Sequence, residues 1–443
     1  MKIQLSEHFT YHKLIRFVLP SIIMMIFTSI YGVVDGLFVS NYVGKTAFAG
    51  LNLIMPFIMA MSALGFMMGT GGSAIVAKTL GEGKKGKANE YFSMIVYVTL
   101  AGGIVLAVVG ILLTKQVSIA LGATGELLDS CILYGRIILM SMPAFMLQNV
   151  FQCFFVTAER PKLGLTVIVL AGVTNMILDF LFIAAFGWGL AGAAFATVCG
   201  ECVGGLLPLV YFGRKNTSPF RLGKARLHWN ILGKTCTNGS SELMTNLSSS
   251  VVNTLFNFQL MHFAGEDGVA AYGTLMYVNF IFIAIFLGYS IGSAPIVSYH
   301  YGARNSDELK NLLTKSLKMI GVWGIGLFAL AQLIASPLAR IFVGYDPDLF
   351  ALTKHGFRIF CLAFLVNGFN IYGSSFFTAL NNGLLSALIS FLRTLVFQIA
   401  AVLLMPMFLG IDGIWGAVFV AEILTLCVTL ICLVRKRNQY HYF

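Results

Sequence analysis

Residues 71–81, Gly-Gly-Ser-Ala-Ile-Val-Ala-Lys-Thr-Leu-Gly, return as residues 292–302, Gly-Ser-Ala-Pro-Ile-Val-Ser-Tyr-His-Tyr-Gly. Gly71, Ile75, Val76 and Gly81 meet Gly292, Ile296, Val297 and Gly302 at an offset of 221. The offset recurs along the chain. Phe155, Thr157 and Ala158 meet Phe376, Thr378 and Ala379; Arg136 meets Arg358 one residue further on; Gly189, Gly192, Ala193 and Phe195 meet Gly413, Gly416, Ala417 and Phe419 at 224. A nearly constant offset over the whole length means an internal duplication.

What is duplicated follows from composition. The 443 residues are 58% hydrophobic and 11% charged, with a mean hydropathy of +0.85. Soluble domains carry about 25% charged residues, so a water-soluble globule and a disordered chain are both excluded. About 20 apolar residues cross a bilayer, and the chain holds twelve such runs. They lie near 13–40, 48–76, 91–114, 127–156, 162–186, 190–212, 232–262, 269–298, 317–341, 350–379, 383–408 and 413–434. Six runs separate the copies, and an even number makes the repeats parallel, related by an axis along the membrane normal. The expected fold is an all-α membrane protein: twelve transmembrane helices in two pseudo-symmetric six-helix bundles. Residues 1–213 form the first lobe, 214–231 a basic linker and 232–443 the second lobe.

Lys and Arg set the orientation. Lys2, Lys13, Arg16, Lys78, Lys84, Lys85, Lys87, Arg160, Lys162, the linker bases, Arg304, Lys310 and Arg435–Arg437 fall on one side. Lys45, Lys115 and Arg340 fall on the other. Both termini are therefore expected in the cytoplasm, in a multi-pass protein of the plasma (inner) membrane. The net charge of +11 thus reflects topology and implies no nucleic acid. The polar start, MKIQLSEHFTYH, followed by a long apolar run, is not the pattern of a cleavable signal.

Much chemistry is missing. No phosphate-binding loop exists; Gly81-Glu-Gly-Lys-Lys-Gly lacks its spacing and its Ser or Thr. No HExxH or GxSxG occurs, and the eight cysteines read as small buried hydrophobes, the Cys199–Cys202 pair included. No enzyme activity, disulfide or cofactor is expected, and transport driven by an ion gradient remains.

Charges inside the runs need a reason, since each costs about 2.5–3.5 kcal/mol near the bilayer centre. The acids are Asp35, Asp179, Glu201, Glu242 and Glu422, and the one deep base is Arg393. Asp35 lies about 22 residues into the first run and Asp179 about 17 into the fifth, so at 1.5 Å per residue both reach the outer half. Asn175 shares a helix face with Asp179, and Thr197 enters from the other side to a similar depth. Two carboxylates, an amide oxygen and a hydroxyl make an all-oxygen site for Na⁺; alternatively the two desolvated acids share a proton and the site binds H⁺. Against this stands a purely structural role as hydrogen bonders inside the bundle. The second repeat puts Phe256, Val396 and Ala400 where the first has Asp35, Asn175 and Asp179, which a packing role does not explain.

Glu242 begins a polar stretch of the seventh run that includes Asn253 and Asn257, fit to face a wet cavity or to glue helices together. Thr28 and Tyr31 share the face of Asp35, and Asn149 and Gln152 project into the bundle or the cavity, with Gln148 and Asn370 as the alternatives. Glu201 and Glu422 read as structural, one of them pairing with Arg393. With 38 Phe, 16 Tyr and 19 Met, an aromatic and thioether-lined cavity would suit flat lipophilic cations.

Taken together, Tyr31-Gly-Val-Val-Asp35-Gly-Leu-Phe-Val, Gly71-Gly-Ser-Ala, Asn175-Met-Ile-Leu-Asp179 and Gly189-Leu-Ala-Gly192-Ala-Ala resemble the MATE family (multidrug and toxic compound extrusion). The resemblance covers essentially the whole chain. It implies a monomeric secondary antiporter that exports small organic cations in exchange for Na⁺ or H⁺ by alternating access. It also implies a cation site at Asp35, Asn175, Asp179 and Thr197. Where some branches carry acids on the tenth helix, this chain has Asn367, Asn370 and Tyr372. The competing reading is an exporter or flippase of lipid-linked or metabolite cargo from a related superfamily; the single deep base argues against a pyrophosphate-binding cavity.

Overall fold

The computed structural model describes residues 3–344 and 346–442; Met1, Lys2, Tyr345 and Phe443, and with them the topological assignment of Lys2, lie outside the described residues. Every regular element among the described residues is helical. We number the spans α1 to α12. The first lobe holds α1 (Tyr11–Phe38), α2 (Lys45–Gly81) and α3 (Lys85–Ala120). It continues with α4, made of Gly125–Met140 and Met142–Thr157 bent by 56° at Ser141, then α5 (Pro161–Ala185) and α6 (Gly189–Gly213). The second lobe holds α7 (229–264), α8 (266–302), α9 (Ser306–Val343), α10 (Pro347–Ala379), α11 (Gly383–Leu409) and α12 (Ile411–Tyr440).

The boundary between α7 and α8 is a single residue. Gly265 adopts φ 62°, ψ −149°, a conformation open to glycine and strained for residues with a β-carbon. One glycine therefore reverses a chain that otherwise stays helical from Trp229 to Gly302. With this break counted, and the bent α4 taken as one span, the apolar helices number twelve among the described residues.

The sequence offset of 221 reappears as a contact rule. Gly71 of α2 lies against the backbone of Gly239 on α7, and its mate Gly292 on α8 lies against Val18 on α1. Val18 is itself the mate of Gly239. Likewise Gly239 abuts Met67, and Gly288, the mate of Met67, abuts Ile22. Backbone-to-backbone approach of this kind is how membrane helices associate, since lipid tails provide no hydrophobic drive. These contacts lie toward the face that bears Lys78, Lys84, Lys85 and Arg304, and they hold the lobes together there. An N-terminal strap adds to them. The Leu5 amide donates to Glu159 of the first lobe at 3.0 Å, and the Phe9 amide to Glu308 of the second at 2.9 Å.

The lobes differ inside. The buried apolar residues of the second lobe form one continuous cluster from Val252 to Leu433. Apart from Leu14, Phe17, Val18 and Ile22 of α1 and Val156 of α4, which join that cluster, those of the first form two, one around Ile54, Tyr134 and Ala193, the other around Phe92, Phe154 and Phe212. Polar side chains of α1, α4, α5 and α6 stand at the level between them.

Candidate cation site and the cavity beside it

Asp35, Asn175 and Asp179 are brought together and buried, with relative exposures of 9%, 3% and 0%. Small residues allow the convergence. Gly200 on α6 admits α5 so closely that a β-carbon there would stand 3.0 Å from Asn175 Cβ, and Gly172 on α5 receives the rings of Phe27 and Tyr31. Asp179 and Asn175 are polar neighbours of the Asp35 carboxylate. The Asn175 amide donates to Thr197 Oγ1 at 3.5 Å, with the buried Tyr134 close by. All four residues singled out in the sequence thus occupy one site. The α-helical ladder of α5 loosens into a π turn at Phe180–Ala185, directly after Asp179, and that of α1 at Val39–Val43, just after Asp35. Such turns often mark functional positions.

The electrostatics of the site are unbalanced. Neither oxygen of Asp179 receives a hydrogen bond from a donor group, and the same holds for Asp35 Oδ1; Asn175 Oδ1 and the Tyr134 hydroxyl are also unpartnered. Buried carboxylates without donors are costly unless a cation or a proton neutralises them. No Lys or Arg among the described residues forms an ion pair with either acid.

The second lobe shows the opposite solution. Glu422 accepts from Arg393 Nε at 2.8 Å and from the Asn370 amide at 2.7 Å, and Asn370 Oδ1 accepts from Thr429 at 3.1 Å. Arg393 sits in a π turn of α11, Leu392–Val396. Here an acid is fully compensated by its own lobe. The structure thus pairs Glu422 with Arg393 and leaves Glu201 to a hydroxyl, Ser141 Oγ.

The other cavity candidates are dispersed. Tyr31 meets the Gln148 side chain, and Gln152 Nε2 donates to Met25 Sδ at 2.9 Å. Asn149 is buried with its amide nitrogen unpartnered. Thr28 Oγ1 is turned back to the Met24 carbonyl. Glu242 lies at the lobe interface, with Cys153 of α4 and Arg393 of α11 as electrostatic neighbours. Asn253 accepts from the Tyr272 hydroxyl at 2.9 Å, and Asn257 is exposed. Asn370 is fully buried with both ends of its amide engaged inside the lobe. Sequence reasoning did not place Tyr134, Ser141 or Glu201 in the site, and it offered Gln148 only as an alternative cavity residue. The available signal was spacing: Glu201 follows Thr197 by four, which puts both on one face of α6.

Comparison with known proteins shows the family. The MatE family model matches twice, over residues 20–181 and 243–404, which cover both lobes. The chain belongs to the MatE family. It is therefore a multi-pass membrane transporter of that family, and not an enzyme. Among similar proteins, the multidrug export protein MepA of Staphylococcus haemolyticus (strain JCSC1435) is 22% identical over 435 residues, 98% of this chain and 95% of that protein. The MepA of Staphylococcus saprophyticus is 23% identical over 418 residues, 94% of this chain and 91% of that one. In fold the chain is similar to an outward-facing multidrug resistance MATE family transporter of the MOP superfamily, with TM-score 0.93, 22% identity, and 100% and 99% of the two chains covered. It is also similar to a MOP superfamily transporter from Pyrococcus furiosus described as having a binding pocket of reversed polarity (TM-score 0.87, 22% identity, 98% and 97% covered).

Proposed function

We propose that the protein is a multidrug efflux antiporter that exports lipophilic organic cations in exchange for Na⁺ or H⁺. The observation that carries this reading is the uncompensated pair Asp35–Asp179, a buried two-acid site with oxygen ligands beside it and no counter-charge of its own. Such a site is stable when an external cation fills it. It is confined to one lobe, so its filling can favour one arrangement of the lobes over the other, and that differential affinity is all that coupling needs. Asp35, Asn175, Asp179 and Thr197 hold the coupling ion. Tyr31, Asn149, Gln152 and Glu242 line the drug cavity between the lobes, with Thr28, Asn253, Asn257 and Asn370 behind or beside them. The similar MepA proteins are multidrug export proteins, which supports export of several drugs.

The same reading places both termini in the cytoplasm of a plasma-membrane monomer. It takes residues 1–213 and 232–443 as the lobes that rock about the cavity, joined by 214–231. The distribution of Lys and Arg supports that orientation. The experiment uses purified protein in liposomes with a fluorescent lipophilic cation, under a Na⁺ gradient or a pH gradient imposed separately. One gradient is expected to drive dye movement that Asp35→Asn abolishes. Folded protein that moves no dye under either gradient would overturn the reading and turn the search to lipid or metabolite cargo.

A further inference from the structure

Below the two acids lies a second polar tier that the mechanism above does not use. Thr197 and Glu201 are one turn apart on α6, with Glu201 nearer the basic face. Tyr31 and Asp35 are likewise one turn apart on α1, with Tyr31 nearer that face. Tyr31 carries the Gln148 side chain against it. Gln148 is 5% exposed, its Oε1 has no hydrogen-bond partner, and it is aimed at α6 so closely that a β-carbon on Gly204 would collide with it. Gly204 follows Glu201 by three, on the same helix face. Ser141, at the 56° bend of α4, hydrogen-bonds Glu201 Oε2. A carboxylate and a hydroxyl in contact, and an amide oxygen without a donor set against the same face of α6, therefore lie one turn from the cation site, within a lobe whose apolar core is interrupted at this level.

We propose that Glu201, Ser141 and Gln148 form a second cation station, which receives the coupling ion from Asp35–Asp179 on its way to the basic face. This rests on the antiport reading. The charged and titratable groups facing Glu201 are Asp35 and Tyr31 on α1, Tyr134 on α4, and Cys202 on its own helix. None is a base, so among the described residues the carboxylate has no resident counter-ion and is free to take a transient one. A monovalent metal ion would bind the three oxygens; a proton would reside on Glu201. Hand-over over one helical turn leaves the first site vacant while the charge stays in a polar environment, which avoids a long step through apolar core.

The test compares wild type, Glu201→Gln and Glu201→Asp in liposomes, with Na⁺ and pH gradients run as separate arms so that the arm that drives transport identifies the ion. The station predicts a split. The ion concentration giving half-maximal transport, set by Asp35–Asp179, should stay within twofold in Glu201→Gln, while maximal turnover falls at least tenfold. Glu201→Asp, which keeps the charge, should recover part of the turnover. Turnover of Glu201→Gln within twofold of wild type would overturn the station and leave the antiport reading standing. A parallel loss in Glu201→Asp and Ser141→Ala, with lowered melting temperatures, would assign Glu201 to packing and also overturn it. If wild type itself responds to neither gradient, the antiport reading and the station fall together. Should Glu201→Gln fail to fold, Gln148→Leu provides the same split.

Discussion

Gly81 and Gly302 close the lobe interface reciprocally: a β-carbon on Gly81 would strike the Tyr299 carbonyl, and one on Gly302 would strike the Lys78 carbonyl. Lys78 and Tyr299 are themselves mates at the 221-residue offset, so each lobe offers the same glycine and the same carbonyl to the other. A side chain at either glycine forces backbone apart, with no flexible neighbour to yield. Gly81→Val and Gly302→Val are therefore expected to hold the basic face open. The check is the distance between spin labels on the ends of α2 and α8, which should lengthen in both variants, with efflux reduced about tenfold or more. That is a shift of roughly 1.4 kcal/mol in the balance of the two states.

The site should respond unequally to loss of its members. Asp179→Asn removes a charge with both oxygens unpartnered and should abolish gradient-driven transport. Thr197→Ala removes one neutral ligand that also satisfies its own helix at Ala193, and should weaken apparent ion affinity by about tenfold, or ~1.4 kcal/mol. Measuring half-saturation by the coupling ion in the two variants separates these outcomes; equal effects would contradict the assignment.

The second lobe makes the converse prediction. Arg393→Met leaves Glu422 buried with no counter-charge, which costs about 3–5 kcal/mol for a buried pair. The double change Arg393→Met with Glu422→Leu removes both charges and should recover most of that loss. Thermal unfolding in detergent is the check, and transport by the double variant should persist if the pair is structural.

One carboxylate holds the Phe9 end of the N-terminal strap. Glu308 accepts from the Phe9 amide and from His8 Nδ1 at 2.6 Å, while Lys315 Nζ donates to the Phe9 carbonyl at 2.7 Å. Glu308→Ala leaves the buried Phe9 amide without its acceptor, at about 1–3 kcal/mol. Hydrogen exchange at Phe9 should then accelerate by one to two orders of magnitude, while exchange in the core of α10 stays unchanged.

The twelve spans, their pairing and the clustering of Asp35, Asn175, Asp179 and Thr197 were legible because each rests on a local rule: run length, offset, or depth along a helix. The break at Gly265 lay in a short polar gap that hydropathy could locate, although the helix itself never stops. The register of α10 was not legible. Asn370 looked available to a cavity, yet contacts with α12 commit it to Glu422 and Thr429, and only tertiary packing decides that. Nor could sequence choose which of Glu201 and Glu422 meets Arg393, since all three sit mid-helix at comparable depth. The π turns after Asp35 and Asp179 carry no residue signature and emerge only from the backbone.

The divided apolar core of the first lobe and the undivided one of the second give the molecule unequal stiffness. Interlocked side chains resist sliding, because any displacement opens voids that cost contacts on every side. A layer of hydrogen-bonding groups can exchange partners as it shears. If Asp35 and Asp179 take the coupling ion, as proposed, it arrives where the scaffold is most compliant, and the second lobe is the stiffer partner against which the first would move. A rigid binder meant to leave transport intact belongs on the second lobe; one meant to arrest it belongs across α1 and α6.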